Sequence, residues 1–416
     1  MFVRTLPGLE STVRRELSAL NILASQTKPS KGVITIPTAS ASDIYSATAL
    51  LRCASRVLIP LFKFRAPSFS YFETELKKKR SELEPFIIGN VPIDVKVTTT
   101  ASKLWHEKAI RERFLRIIGL PDAAPSSSTT QRIELSFSRD VCEVRLDAGG
   151  VQPLHEHGWR VDAAKMPLKE CVASAMLMAC GWADKPTSLI DPFCGSGTIP
   201  IEAALLALNM PPNRNFAFEE WPGADTTALA RVSEERERRT HEAASKRASV
   251  PPIVGSDRDE GAVKVATLNA EKAGVSDLVE FRAASVSALA APAEKAGGGG
   301  LLMTNPPWGL RSGKDRGQRQ NLYAKLGSVF TERLDGWGLA LLVNDGRLLA
   351  PLQKHQKLAL HKTLSVSLGG ERATLVANQA AGGSVELAAA LRAERDAAKS
   401  STATVVRSER AAELSR

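Results

Sequence analysis

The feature that most constrains the fold is an alternation of short apolar segments with helical patterns in the later part of the chain. The apolar segments are TSLID (187–191), IVGSD (253–257), LLMTN (301–305) and GLALLVND (338–345), and each ends in a polar residue. Continuous apolar runs of this length are typical of strands that are buried on both faces of a parallel sheet. Helical patterns begin near residues 197, 260 and 319. We therefore predict an α/β fold over residues 160–383, a Rossmann-like, doubly wound and mostly parallel sheet.

Three segments around this alternation have other patterns. Residues 209–252 begin with NMPPNRNF and end in a charged helical pattern, so we predict an insertion that lies over the sheet. The segment TLSVSLGGERATLVANQ (363–379) has the pattern of a hairpin at a sheet edge. Residues 384–416 consist mostly of small and charged residues, which predicts a disordered tail.

The first 155 residues have the pattern of a small, basic α+β region. RIELSF and VCEVRLD flank Arg139-Asp140 and predict a hairpin. The stretch KLWHEKAIRERFLRIIG (103–119) predicts a helix with an apolar inner face and a basic outer face that includes Lys103, Lys108 and Arg111. Further strands are predicted at 2–6, 31–37 and 91–99, and further helices at 8–20 and 43–61.

Charge and cysteine usage narrow the classes of function. The 416 residues carry a net charge of +10, and the pI is about 9.4, which favours a polyanionic partner such as nucleic acid. The five cysteines are scattered without a CxxC pair, which argues against disulfides and against a zinc site. We expect a cytoplasmic monomer, or an organellar one in a eukaryote, because no apolar run suits a membrane span or a secretory signal.

The stretch DPFCGSGTIP (191–200) follows the first apolar segment and predicts a ligand-binding turn. Gly195 and Gly197 allow a tight turn and a close approach of the backbone to a ligand. A phosphate-binding P-loop would need lysine after the glycines, and a dinucleotide site would need a third glycine where Pro200 stands. An S-adenosylmethionine site and a purely structural turn remain. In the former, Asp191 can face the amino group of the ligand.

Two acidic residues follow the second apolar segment. Asp257 stands at the end of IVGSD, where a carboxylate can accept hydrogen bonds from both hydroxyls of a ribose. Asp259 is predicted to cap the next helix, and capping by both residues is the alternative.

The stretch TNPPW (304–308) follows the third apolar segment. Its prolines fix the backbone, so that the side-chain carbonyl of Asn305 and the main-chain carbonyl of Pro306 form a rigid pair of acceptors. Such a pair can hold the exocyclic amine of a nucleobase, while Trp308 offers a flat face for stacking. The alternatives are a structural proline turn with a core tryptophan, or cysteine-based methylation of a ring carbon, for which Cys194 is poorly placed.

These motifs, in this order, resemble the THUMP-domain RNA guanine-N2 methyltransferases of the UPF0020, RlmL-like type. LPGLESTVRREL, LLRCASRVLIPL, HGWRVDAAKMPLKE and LGGERATLVANQ also have counterparts there, so the resemblance covers about residues 1–380. It implies an N-terminal ferredoxin-like and THUMP region (1–155) that binds RNA and a methyltransferase domain that uses S-adenosylmethionine. In two places the sequence departs from the family pattern: Trp308 replaces a tyrosine, and Ser285 replaces an acid that contacts the adenine.

The resemblance assigns roles to individual residues. Residues expected to contact the cofactor are Asp191, Phe193, Gly195, Gly197, Thr198, Asp257, Ser285 and Asn305. Residues expected to hold the target base are Asn305, Pro306, Pro307 and Trp308. Residues expected to contact RNA are Lys103, Lys108, Arg111, Arg160 and Arg311, and no metal ligand is expected. Pro167 and Lys169, with Arg160, match a segment that closes over the cofactor, and packing of the helix start is the alternative.

The expected activity is methyl transfer to the exocyclic N2 of a guanosine in large-subunit ribosomal RNA. Transfer RNA is the alternative substrate, and asparagine followed by two prolines and an aromatic residue also serves transfer to adenine N6. A non-catalytic RNA-binding or ribosome assembly factor on the same fold is the alternative from another class.

Overall fold

The computed structural model describes residues 1–22, 29–89, 91–121, 131–161, 167–292, 299–308, 316–353 and 358–381. The predicted tail 384–416 and Arg311 lie outside these residues. The chain divides into two compact units. The first comprises Met1–Val161, Lys169–Val172 and Leu208–Ala248, and the second comprises Asp162–Leu168, Ala173–Ala207 and Ser249–Arg416.

The first unit is built on a mixed, mostly antiparallel sheet of seven described strands, in the order β2-β3-β1-β4-β7-β6-β5. Tight backbone geometry closes the hairpin predicted at Arg139-Asp140, where φ is +49° and +61°. The strands are β1 (Phe2–Thr5), β2 (Pro29–Ser30), β3 (Val33–Thr35), β4 (Ala54–Arg65), β5 (Ile93–Thr100), β6 (Gln131–Ser138) and β7 (Val141–Asp147).

Helices of the first unit bury one face each. Phe72 and Phe114 are fully buried, and the ring of Phe72 lies 5.7 Å from that of Phe137 on the sheet. Ser68 caps the helix that carries Phe72, since its side chain accepts a hydrogen bond from the Tyr71 amide. The helices are α1 (Glu10–Ala19), α2 (Ala41–Leu50), α3 (Phe69–Lys78), α4 (Glu107–Ile118) and, in the segment 208–248, the longer helix that follows below.

The second unit contains the predicted α/β sheet. Its seven described strands run in the order β10-β9-β8-β11-β12-β14-β13, and the first five are parallel. The last two form the predicted edge hairpin. The strands are β8 (Leu189–Asp191), β9 (Ile253–Asp257), β10 (Val279–Ala283), β11 (Leu301–Thr304), β12 (Gly338–Val343), β13 (His361–Leu368) and β14 (Glu371–Ala377). This is the Rossmann-like topology expected from the sequence.

The remaining helices are α5 (Glu170–Ala179), α6 (Thr198–Ala207), α7 (Thr226–Lys246), α8 (Glu260–Ala273), α9 (Arg316–Arg333) and α10 (Leu349–Gln353). Asp259 caps α8 as predicted, because its Oδ1 accepts hydrogen bonds from the amides of Gly261 and Ala262. Buried side chains of α9 pack on the apolar strands β8, β11 and β12. No described helix is long and apolar enough to cross a membrane.

Two expectations differ from the structure. The helix predicted at 43–61 is wrong beyond Leu50, because Ala54–Arg65 forms β4 between β1 and β7, with a register shift at Pro60. The segment 209–252 was expected over the parallel sheet. Instead, α7 packs on α2 of the first unit, and the hydroxyl of Tyr45 accepts a hydrogen bond from the amide of Asp225.

Candidate active site

The predicted ligand-binding residues lie where neighbouring parallel strands end. β8 pairs with β9 on one side and with β11 on the other, so Asp191, Asp257 and Asn305 follow three adjacent strands. The carboxyl ends of parallel strands are the usual place for ligands in open α/β sheets. We call this edge the rim.

The glycine turn after β8 is tied to β9. The amide of Cys194 donates to the carbonyl oxygen of Ser256 at 2.9 Å, and the amide of Gly195 donates to Asp257 Oδ2 at 3.1 Å. Gly195 has φ +51°, and a Cβ built on it would meet no atom within 4 Å. The side of Gly195 that a side chain would occupy therefore stays open.

Gly197, also predicted to contact the ligand, is hemmed in by protein. It has φ +84°, and a Cβ there would lie 2.9 Å from the ring of Phe281 and 3.0 Å from Ala266 Cβ. The missing side chain lets the start of α6 pack closely against β10 and α8. Thr198, the first residue of α6, is buried.

Asp191 is buried and linked to the strand that precedes TNPPW. Its Oδ1 accepts hydrogen bonds from the hydroxyl of Thr304 at 2.5 Å and from the amide of Phe193 at 3.1 Å. Burial raises the pKa of Asp191 to about 7, the nearby charge of Asp257 adds to this, and the two hydrogen bonds oppose it. Thr304 thus holds the end of β11 against the end of β8.

Asp257 lies half-buried at the end of β9, and its two oxygens accept hydrogen bonds from the amides of Gly195 and Asp259. Each oxygen has a further lone pair, so the carboxylate keeps the capacity to bind two hydroxyls. Ser285 is exposed, two residues after β10, where it precedes a short 3₁₀ turn and makes no capping hydrogen bond.

Asn305 carries the most unusual atom of the rim. Its Oδ1 is buried and has no hydrogen-bond partner. An unpaired buried acceptor costs about 1–3 kcal/mol, so most buried polar atoms are paired. Pro306 is buried and Pro307 is exposed. Asn305 therefore combines a fixed backbone with an unmet acceptor, directly after the residue that bonds Asp191.

Trp308 is anchored at both its ring and its main chain. Its Nε1 donates to the carbonyl oxygen of Leu342 on β12 at 3.2 Å, and its own carbonyl oxygen accepts a hydrogen bond from Arg319 Nη1 at 2.6 Å. Sequence reasoning identified Trp308 but missed Arg319 and Thr304. Thr304 could have been found, because it stands beside Asn305 at a strand end; Arg319 has no such signal.

Cys194 is a poor candidate for a nucleophile. It is buried, and burial is the main reason that the pKa of its thiol lies well above the usual value, with the charges of Asp191 and Asp257 adding to it. A thiolate is therefore disfavoured. Among the described residues, no group of histidine, cysteine and acidic side chains is arranged to hold a metal ion.

The basic residues predicted to bind RNA have different surroundings. Lys103 is exposed, and the side chain of Lys108 is 90% exposed with Glu112 at 3.9 Å. Arg111 is half-buried. Arg160 lies against Trp159 and donates its Nε hydrogen to Glu170 at 2.9 Å, which supports the alternative of a packing role for this segment.

Comparison with known families supplies the next observation. The UPF0020 model, described as an RMKL-like methyltransferase domain, matches residues 157–374, which is more than half of the chain. The chain belongs to the UPF0020 family. A second model, the RlmL ferredoxin-like domain, matches residues 1–58. The resemblance inferred from the sequence is thereby confirmed, and the rim lies within the UPF0020 methyltransferase domain.

Curated relatives of this UPF0020 protein include long ribosomal RNA methyltransferases. The ribosomal RNA large subunit methyltransferase K/L of Shewanella baltica (strain OS195) is 37% identical over 225 residues, 53% of this chain and 31% of that protein. The protein of the same name from Shewanella sp. (strain MR-4) is 32% identical over 364 residues, 85% of this chain and 49% of that protein. The chain thus spans about a third to a half of the length of these relatives.

A solved structure resembles most of this UPF0020 chain. SMU.472, a methyltransferase crystallised in complex with SAH, is 27% identical, with a TM-score of 0.72 over 91% of this chain and 97% of that one. The similarity extends across both units and supports the Rossmann-like assignment of the second.

Proposed function

We propose that the chain is an S-adenosylmethionine-dependent RNA methyltransferase that methylates the exocyclic N2 of a guanosine in large-subunit ribosomal RNA. The observation that carries this proposal is the unpaired, buried Oδ1 of Asn305 at the rim. A buried acceptor without a donor is a site prepared for a ligand N–H group. The exocyclic amine of guanine supplies such a donor.

The residues of the rim fit S-adenosylmethionine. When bound, this cofactor supplies an electrophilic methyl group on a sulfonium. The open side of Gly195 leaves room for a ligand beside the backbone, and the spare lone pairs of Asp257 suit the two ribose hydroxyls. The carboxylate of Asp191 suits the amino group of the methionine part. The SAH bound to SMU.472 and the family match both support this choice.

Asn305 activates the target amine by accepting its hydrogens. The lone pair of an aromatic amine is delocalised into the ring, which makes the nitrogen a weak nucleophile. Two carbonyl oxygens, from the side chain of Asn305 and the main chain of Pro306, favour a pyramidal nitrogen whose lone pair points away from the ring. As the new N–C bond forms, positive charge grows on the nitrogen, and the same oxygens stabilise it. Fixed acceptors of this kind contribute a few kcal/mol, roughly. The surplus proton of the methylated amine then leaves to solvent.

Trp308 holds the base in the position that this step requires. A guanine must leave its stack to reach the rim, and stacking on an aromatic ring returns roughly 1–3 kcal/mol. The hydrogen bond from Trp308 Nε1 to Leu342 fixes the plane of the indole before the base arrives.

The substrate assignment rests on the relatives and on charge. The curated relatives are named as large-subunit ribosomal RNA methyltransferases, and the net charge of +10 suits a polyanion. We propose that the N-terminal region, 1–155, docks the RNA, with Lys103, Lys108 and Arg111 among its contacts. Replacing both Lys108 and Arg111 with glutamate is then expected to weaken RNA binding without changing cofactor affinity.

Nucleoside analysis tests the reaction directly. The purified protein is incubated with methyl-labelled S-adenosylmethionine and either protein-free large-subunit ribosomal RNA or transfer RNA, and the digested nucleosides are separated by mass spectrometry. We expect label in N2-methylguanosine from ribosomal RNA. Label in N6-methyladenosine would contradict the choice of atom, and label in transfer RNA alone would contradict the substrate.

Variants of Asn305 test the role of its oxygen. Asn305→Ala is expected to lower kcat at least tenfold while cofactor affinity, measured by calorimetry, stays within about twofold. Asn305→Asp keeps an acceptor oxygen at the same place and is expected to retain more activity than the alanine variant. Equal rates for the wild type and Asn305→Ala would remove the proposed mechanism.

A further inference from the structure

The outer surface of α3 and α4 contains a groove that the proposed catalytic step does not use. It is lined by Glu73, Lys77, Arg80, Arg116 and Ile117, and its volume is about 500 Å³. We call it the α3–α4 groove. Lys77, Arg80 and Arg116 are exposed, and Ile117 is buried at the base.

The cations on and just after α3 differ in their pairing. Lys78 lies 2.6 Å from Glu75, and Lys79 lies 2.9 Å from Glu82 and above the ring of Phe62. Within the described part of the chain, Lys77 and Arg80 have no carboxylate at ion-pair distance. The groove therefore collects the two cations whose charge is not met, whereas the cations between them are paired.

The one carboxylate in the groove is already matched by α4. Glu73 forms ion pairs with Arg113 and, at 3.2 Å, with Arg116. The hydrogen bond from Arg113 is the main reason that the pKa of Glu73 is lowered, which shows that it lies in a positive field. With Glu73 matched by Arg113, the charges of Lys77, Arg80 and Arg116 remain for an anion.

The scaffold beneath these charges is rigid. Phe72 and Leu76 of α3 and Phe114 of α4 are fully buried, and the guanidinium of Arg113 lies 4.2 Å above the ring of Phe69. Lys77 and Arg80 project from the same stretch that this packing holds, at positions i+4 and i+7 from Glu73. The spacing of the three cations is therefore set by the fold.

We propose that the α3–α4 groove binds phosphates of the RNA backbone. An inorganic ion would not fill a groove of about 500 Å³, whereas successive phosphates of a chain can occupy it. Arginine forks match phosphate oxygens, and lysine adds a point charge. This inference rests on the proposed function, because that function makes RNA the ligand, but it assigns the docking surface to residues other than Lys103, Lys108 and Arg111.

Two double variants with the same change in net charge test the groove. Lys77→Gln with Arg80→Gln removes the unmatched cations, and Lys78→Gln with Lys79→Gln removes the paired cations between them. Binding of protein-free large-subunit ribosomal RNA and of a 20-nucleotide oligouridylate is measured by fluorescence anisotropy at several salt concentrations. Thermal melts check the folding of each protein.

The groove variant is expected to bind both RNAs about tenfold more weakly and to lower the slope of log Kd against log salt by about 1.5, since two phosphate contacts are lost. The matched variant is expected to change the slope by much less than one. Equal losses in the two variants, or wild-type binding by the groove variant, would overturn the assignment. If the groove double variant does not fold, Lys77→Gln and Arg80→Gln alone are each expected to give about half the change in slope.

The same proteins separate this inference from the proposed function. A wild type that binds RNA through the groove but transfers no methyl group to it leaves the groove standing and removes the proposed reaction. A groove variant that binds and methylates ribosomal RNA like the wild type removes the groove and leaves the reaction standing.

Discussion

At the scale of single residues, the rim shows which parts of a site can be deduced from sequence. Asn305 and Asp257 could be predicted because each follows an apolar strand pattern directly. Arg319 could not, since its contact with Trp308 joins a helix to a loop eleven residues earlier. Nor does a sequence reveal that the side-chain oxygen of Asn305 lacks a partner, which depends on every neighbour in the fold.

The buried carboxyl of Asp191 predicts a pH-dependent stability. Its pKa in the folded protein is about 7, against 3.8 in an unfolded chain, so the native state favours the protonated form. The stabilisation from this group is complete below about pH 4 and is lost as the pH rises towards 7. Asp191→Asn keeps an acceptor for Thr304 and cannot ionise. We expect thermal melts to show the variant gaining stability relative to the wild type between pH 4 and 7; a constant difference would contradict the shifted pKa.

The hydrogen bond from Arg319 to Trp308 predicts a positioning role. A hydrogen bond from a charged donor contributes about 1.5–3 kcal/mol, so Arg319→Ala is expected to lower kcat about tenfold while cofactor affinity stays constant. Arg319→Lys should recover part of that loss. Arg333→Ala is the matched control, because Arg333 on the same helix donates to the carbonyl oxygens of Ser287 and Leu289. It should lower the melting temperature but not kcat. A reversed pattern would mean that Arg319 only supports the fold.

At the scale of elements, local patterns identified the parallel strands well and β4 poorly. The strands β8, β9, β11 and β12 are short apolar runs bounded by turns, and a doubly wound sheet is the usual way to bury them. The run from Ala54 to Arg65 is equally apolar but follows a helix directly, so its period is ambiguous. Pairing with β1 and β7, which are distant in sequence, determines that it is a strand.

The two glycines of the turn between β8 and α6 predict opposite effects. Gly197→Ala brings a methyl group against Phe281 and Ala266 at a positive φ, and should destabilise the second unit by about 2–4 kcal/mol. Gly195→Ala places its methyl group in open space, so the main cost to stability is about 1–2 kcal/mol of backbone strain. The same methyl group faces the proposed ligand, so cofactor affinity should fall at least tenfold. Melting curves and calorimetry on both variants check this, and normal cofactor binding by folded Gly195→Ala would exclude the cofactor from that side.

At the scale of the whole molecule, the sequence predicts an insertion but not its host. The pattern of 209–252 showed only that a charged helix interrupts the parallel sheet. Its packing on α2 depends on contacts such as that between Tyr45 and Phe218, whose rings stack at 4.5 Å. A side chain nearly 200 residues away thus decides to which unit this helix belongs.

Two units with separate sheets predict that each ligand stabilises one of them. A ligand present at about 100 times its Kd adds roughly 2.7 kcal/mol to the stability of the state that binds it. S-adenosylmethionine should therefore slow amide hydrogen exchange in β8, β9 and β11, and leave β5, β6 and β7 unchanged. Large-subunit ribosomal RNA should slow exchange in α3 and α4 of the first unit. Equal slowing of both sheets by the cofactor alone would contradict this division, because it would mean that the whole chain responds to a ligand bound at one rim.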